Sequence, residues 1–149
     1  MKNFFLALLA VALMLPAIAS AQPLITLSDT RPTSSMTCPP DGFAGCTSAT
    51  FTVPVTGDYV IDSWIRCPNT PCQSCVSCVT IHSMTGAQLY KCSVGCPGSD
   101  CNESCRVSLP AGTYTIDVCL LQCVTGTTPC DERCQAWGCV RPPTTPPCY

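Results

Sequence analysis

FTVPVTGDYVIDSWIRC, residues 51–67, reads as two β-strands around a tight turn. Phe51, Val53 and Val55 alternate with Thr52 and Pro54, Thr56-Gly57 turns the chain, and Tyr59, Ile61 and Ile65 then alternate with Val60, Asp62, Trp64 and Arg66. A period of two places one set on each face of a sheet. The pattern returns at 112–123, GTYTIDVCLLQC, which matches 57–67 through Gly57/Gly112, Tyr59/Tyr114, Ile61/Ile116 and Asp62/Asp117. Each copy follows a short strand and a tight turn and runs into a cysteine-rich loop. Two copies are too few for a solenoid and suit the two halves of a β-sandwich. Shorter strand candidates lie at 78–83, 87–92, 105–109 and 135–140, punctuated by Thr85-Gly86 and Pro110-Ala111-Gly112. The predicted class is all-β: an antiparallel, disulfide-rich sandwich over residues 50–140.

On either side the composition changes. The start, MKNFFLALLAVALMLPAIASA, has the parts of a secretory signal: Lys2, an apolar stretch from Phe4 to Ile18, and Ala19-Ser20-Ala21 as a small-residue cleavage site. Its apolar run is short for a membrane span of ~20 residues, so residues 1–21 are expected to be removed and no later segment reads as transmembrane. Residues 22–49 form a Pro/Ser/Thr-rich N-terminal extension holding one apolar stretch, Leu24-Ile25-Thr26-Leu27. Residues 141–149, RPPTTPPCY, read as a polyproline-type tail. Without Lys2 the chain has six basic residues against nine acidic ones, which leaves no basic patch for nucleic acid or an anionic membrane. Charged residues make up 11% of the chain, well below the usual quarter, so little keeps copies of the chain apart.

Sixteen cysteines behind an export signal read as a disulfide framework. In KCSVGCPGSDCNESCR an antiparallel hairpin brings Cys92 opposite Cys105 and Cys96 opposite Cys101 in one register. In CLLQCVTGTTPCDERC the same logic pairs Cys119 with Cys134 and Cys123 with Cys130. CPNTPCQSCVSC nests Cys67–Cys78 around Cys72–Cys75 with a slipped register, and Cys38–Cys46 and Cys139–Cys148 close locally. If the chain runs as a meander, the cysteine hairpins fall at one end of the sheets and the glycine turns at the other.

Catalytic constellations are thin. His82 is the sole histidine, on the face of Thr80 and Met84, and reads as an exposed strand residue; no G-x-S-x-G elbow accompanies it. Asp62 and Asp117 hold equivalent outer positions, where solvated carboxylates outweigh a glycosidase pair. The C-x-x-C-x-x-C at 72–78 has metal-ligand spacing, but an oxidising compartment favours disulfides. No cofactor fingerprint is present, and the chain is expected not to be an enzyme. Asn102-Glu103-Ser104 is a formal N-glycosylation sequon, and Thr144 and Thr145 are candidate O-glycan acceptors. Trp64 and Trp137 read either as packing residues or as a sugar-stacking platform.

The segments FTVPVTGDYVI, VTIHSMTGAQLY and RVSLPAGTYTIDV resemble bacterial pre-peptidase C-terminal domains, over about residues 50–120. The resemblance implies a jelly-roll-like, non-catalytic module of the kind appended to secreted enzymes as an accessory. This chain departs from that pattern in its cysteine-rich loops, and it is expected to carry no attached enzyme. With its scarce charge and dense stapling, it points to an exported structural protein, secreted or at the cell surface, that self-assembles into an extracellular filament or surface coat. Its partners would be further copies of itself, joined by edge addition of Leu24, Ile25 and Leu27 or by a bridge through Cys148. The alternative is a monomeric module binding carbohydrate or a surface partner through Trp64, Trp137 and the cysteine loops. A disulfide-rich inhibitor or toxin fits the staples but not the long β body.

Overall fold

The computed structural model describes residues 22–30, 46–67, 74–96, 100–125, 128–129 and 134–149, and side chains for all of these except 74, 122–125 and 128–129. The expected leader, Cys38, Cys72 and Cys130 lie outside the described residues, as does the side chain of Cys123. The strands are β1 (Ile25–Asp29), β2 (Thr47–Val53), β3 (Gly57–Arg66), β4 (Ser74–Ser83), β5 (Gln88–Cys96), β6 (Asp100–Leu109), β7 (Gly112–Thr125), β8 (Thr128–Pro129) and β9 (Gln135–Arg141). They form sheet A, in the order β1-β9-β3-β6, and sheet B, in the order β2-β7-β4-β5 with β8 beside β7. Every pairing is antiparallel.

With β8 set aside, β1–β9, β2–β7, β3–β6 and β4–β5 are the nested rungs of one long hairpin folded over itself. That is a jelly roll: two four-stranded sheets whose successive strands mostly change sheet. The chain is thus not a meander, yet the two ends of the sandwich still differ as a meander would require. The connections 54–56, 84–87 and 110–111 are tight and lie at one end. The cysteine-rich connections leave from the other end, after Asp29, Arg66, Cys96 and Thr125.

The internal repeat has a physical cause. Tyr59 donates its hydroxyl to the Val55 carbonyl at 2.8 Å, and Tyr114 donates to the Pro110 carbonyl at 2.9 Å. In both copies the tyrosine of G-x-Y reaches back four residues and closes the turn that precedes its strand.

Alternation fills the core as the sequence pattern demands. Ile61, Ile65, Val107, Leu109, Ala136 and Val140 of sheet A meet Phe51, Val53, Val79, Ile81, Ile116, Val118 and Leu120 of sheet B. The sheets approach each other closely at Gly138. A Cβ there would lie 2.6 Å from Val79 Cγ2 and 2.8 Å from Val118 Cγ2, so only glycine fits this level of β9. Ser63 donates to Ser77 Oγ at 3.0 Å across the interior, which satisfies two hydroxyls on inward-facing positions.

The disulfides divide into those set by neighbouring chain and those set by topology. Cys92–Cys105, Cys96–Cys101 and Cys139–Cys148 are joined as the local reading expects. The first two do not cross a hairpin, however. β5 is the edge of sheet B and β6 the edge of sheet A, so these bridges sew the sandwich shut along one side.

Three expected pairs are wrong. Cys119 bonds Cys46 rather than Cys134, Cys46 therefore does not bond Cys38, and Cys134 bonds Cys67 rather than leaving it to Cys78. The cause is strand order. β2 lies beside β7, which sets Cys46 and Cys119 with Cα atoms 4.5 Å apart, and β9 lies beside β3, which sets Cys67 and Cys134 4.2 Å apart. β7 and β9 belong to different sheets, so the expected 119–134 hairpin does not form. Cys78 is disulfide-bonded on the outer face of sheet B. The pairs Cys72–Cys75 and Cys123–Cys130 fall on residues or side chains outside those described.

The expected donor strand is also corrected. β1 pairs with β9 from Ile25↔Val140 to Asp29↔Ala136, and Leu24, Ile25 and Leu27 pack against the core. Asp29 locks the strand to the opposite sheet: its carboxylate accepts from the Leu120 amide at 3.2 Å and from Thr47 Oγ1 at 3.4 Å. The apolar stretch is an edge strand of its own sandwich.

Candidate functional site

The outer face of sheet A is ordered in rows running across its strands. One row holds Cys139, Asp62 and Ser104, the next Trp137, Trp64 and Asn102, and the last Gln135, Arg66 and Asp100. Alternation along β3 and β6 sends these side chains away from Ile61, Ile65 and Val107, and the pairing register brings them side by side.

Asp62 anchors the first row. It is fully buried, and it accepts from Arg141 Nε at 2.6 Å and Nη2 at 3.2 Å, Ser104 Oγ at 2.6 Å and the Cys148 amide at 3.2 Å. Burial, the largest single influence, pushes its carboxyl up. The hydrogen bonds from Arg141, Ser104 and Cys148, with the Arg141 charge, outweigh it and hold the group below its ordinary 3.8. The expected solvated strand carboxylate is therefore a buried ion pair.

The Pro-rich tail covers this pair. Arg141 Nη1 donates to the Thr145 carbonyl, Thr145 N closes a turn onto the Pro142 carbonyl at 3.0 Å, and Cys139–Cys148 ties the tail to β9. Thr145 is buried, so of the two proposed O-glycan acceptors only Thr144 is exposed. Cys148, considered as an intersubunit link, is closed within the chain.

Beyond Cys148 the tail delivers Tyr149 to the aromatic row. Trp64 and Trp137 are cross-strand neighbours with ring planes 7° apart and centroids at 5.6 Å, and Tyr149 stands at 61° to Trp64 with centroids at 6.0 Å. Trp64 is 9% exposed and Trp137 half-buried, while Tyr149 is 53% exposed. These three rings, with Arg66, Asp100 and Asn102, line an open cleft of about 280 Å³. The sequon residue Asn102 is exposed and belongs to this cleft. Of the six lining residues, the sequence reading had offered the two tryptophans as a binding surface and Asn102 only as a glycan acceptor. It missed Arg66, Asp100 and Tyr149: the outward parity of Arg66 was available, but nothing in the sequence signalled where the tail would go.

Sheet B carries the second polar cluster. His82 is buried, not exposed as expected, and its Nε2 lies 2.9 Å from Thr80 Oγ1 and 3.1 Å from Asp117 Oδ2. Ser48 donates to Asp117 Oδ1. Hydroxyl and carboxylate thus face the same imidazole nitrogen, whereas a nucleophile relay needs one on each. Asp62 and Asp117 sit on opposite outer faces of the sandwich and cannot flank one glycosidic bond. The sulfurs of Cys67, Cys75 and Cys134 gather at the cysteine-rich end of the core, with Cys75 Sγ 3.5 Å from Cys67 Sγ and 3.7 Å from Cys134 Sγ. Because Cys67 and Cys134 are bonded to each other, the set does not offer three thiolates.

No family model matches the chain, and no curated protein matches it. Among solved structures it is similar to the carbohydrate binding module CBM6cm-2 of Cellvibrio mixtus lichenase 5A in complex with cellotriose. The identity is 13% over 81% of this chain and 98% of that one, with a TM-score of 0.41. The C-terminal CBM6 of a marine laminarinase from Zobellia galactanivorans gives 11% identity over 79% and 100% of the two chains, with a TM-score of 0.40. At these values the likeness adds nothing about ligands and no more about the fold than the strand order already gives. Among the described residues no helix is long and apolar enough to cross a membrane.

Proposed function

We propose that the chain is an exported, non-catalytic carbohydrate-binding module whose ligand surface is the aromatic cleft on the outer face of sheet A. The observation that carries the reading is the convergence of Trp64, Trp137 and Tyr149 with Arg66, Asp100 and Asn102 around one open cleft. A pyranose presents apolar C–H faces and a rim of hydroxyls. Aromatic rings bury the former, and a guanidinium, a carboxylate and an amide supply both donors and acceptors to the latter. Disulfides on either side hold the strands that carry these groups, so little order has to be imposed on binding. The features that suggested a filament are engaged within the chain: Leu24, Ile25 and Leu27 on β9, and Cys148 on Cys139.

The test is titration with neutral oligosaccharides of the β-glucan, xylan, mannan, chitin and α-glucan series, followed by tryptophan fluorescence. At least one series should give a saturable change, and Trp137→Ala should weaken it about tenfold, the worth of one stacking contact. No response to any series, or an unaltered affinity in Trp137→Ala, would refute the reading.

A further inference from the structure

We infer that the cleft takes one or two sugar units of a soluble, uncharged oligosaccharide rather than the flat face of an insoluble polysaccharide, and that Tyr149 sets this preference. The inference rests on the carbohydrate-binding reading and narrows it.

Three observations carry it. The first is ring orientation. Rings that grip a flat crystalline face must share a plane. Here Trp64 and Trp137 are stacked against each other, and Tyr149 stands at 61° to Trp64. Such a set offers an angled, open cleft, not a platform.

The second is size. The cleft measures about 280 Å³, just below the roughly 300–1,000 Å³ of sites that hold a drug-sized ligand. One or two pyranose rings fill it, and further units would lie outside.

The third is charge and fixation. Arg66 and Asp100 are register partners of opposite sign, so the cleft has no net bias toward an anionic sugar. Tyr149 owes its place to the Cys139–Cys148 bridge and to the Cys148 amide on Asp62. It follows directly on the pinned residue, and its ring meets Trp64 edge-on, which makes it one wall of the cleft.

The experiment compares chain lengths. Homologous series of one to six units, in each neutral linkage the fluorescence panel returns, are titrated against wild type, Tyr149→Ala and Tyr149→Phe. Retention on microcrystalline cellulose and on chitin is measured in parallel. The expected result is affinity that rises from one unit to two and is level from three to six, with no retention on the insoluble polymers. Tyr149→Ala should lose about tenfold on the shortest ligands and Tyr149→Phe little, since the ring forms the wall. Affinity that climbs with every unit to six would overturn the inference while leaving the carbohydrate-binding reading in place. So would tight retention on a crystalline polymer, or an unchanged length profile in Tyr149→Ala. Silence from every series removes both.

Discussion

Replacing Asp62 by asparagine keeps the side-chain shape and removes the charge on which the tail is anchored. Its carboxylate accepts four hydrogen bonds, two of them from Arg141, which is itself only 7% exposed. In the variant the guanidinium stays buried while its carboxylate partner is gone. Removing one member of a buried ion pair costs about 3–5 kcal/mol. At ~3 °C per kcal/mol for a chain of this size, the melting temperature should fall by roughly 10–15 °C. The loss should depend on pH with a definite sign. The native carboxyl lies below 3.8, so on acidification the unfolded chain takes up its proton first. The stabilisation is therefore complete above the unfolded value of about 3.9 and drains away as pH falls through the native one. Calorimetry of both proteins under non-reducing conditions at pH 7, 5, 4 and 3 should show a gap that is constant from 7 to 5 and narrows below about 4. A gap under ~1 kcal/mol at pH 7, against the expectation for a buried pair, would refute the argument. A gap unchanged down to pH 3 would assign the loss to shape rather than charge. Asp62→Asn/Arg141→Met should recover most of it, because the orphaned charge is the main cost.

Gly138→Ala should destabilise by about 1–3 kcal/mol, the usual cost of overpacking, because its methyl group meets two valines of sheet B; urea unfolding measures this, and a neutral result would mean the sheets separate there more easily than their packing implies. Removing the Cys92–Cys105 bridge by a double alanine substitution should cost less than the ~3 kcal/mol assigned to a loop of that length, because Cys96–Cys101 still holds the same edge. Hydrogen exchange should rise in β5 and β6 and leave β2 and β7 unchanged; uniform exchange would contradict the assignment of this bridge to one edge of the sandwich.

Much of the layering was legible in residues 51–67 and 112–123, because a period of two separates inner from outer positions without knowledge of the partner strand. Ile61, Ile65, Ile116, Val118 and Leu120 point inward as read, and Asp62, Trp64 and Asp117 outward. What alternation cannot supply is the identity of the neighbour. Cys92 and Cys105 were paired by a hairpin that does not exist; the bridge forms because two sheet edges meet there, so the pair was right and its geometry was not. Cys46–Cys119 and Cys67–Cys134 span 73 and 67 residues, and only the jelly-roll order brings them together. His82 shows the same limit. Parity placed it on the outer face, but whether an outer position is exposed depends on the side chains beside it, here Thr80 and Asp117.

The candidate site was half legible for a related reason. Trp64 and Trp137 were visible as an aromatic pair, but their stacking follows from the β3–β9 register, which neither strand encodes alone. The tail was the harder part. RPPTTPPCY lacks the donors and the periodicity for helix or strand, so a search for secondary structure finds nothing in it to place. Its order comes from side chains instead. Four prolines restrict φ and limit the conformations lost on ordering; Arg141 reaches both Asp62 and the Thr145 carbonyl; and Cys148 is bonded to β9 through its sulfur and to Asp62 through its amide. Asp62 thereby links the repeat that builds the sandwich to the tail that walls the cleft. The matching aspartate of the other repeat, Asp117, faces His82 and Ser48 on the opposite side of the molecule. The two copies of G-x-Y-x-I-D thus close equivalent turns, while their aspartates, on opposite outer faces, have diverged: one fixes a tail beside an aromatic cleft, the other ties together three strands of sheet B.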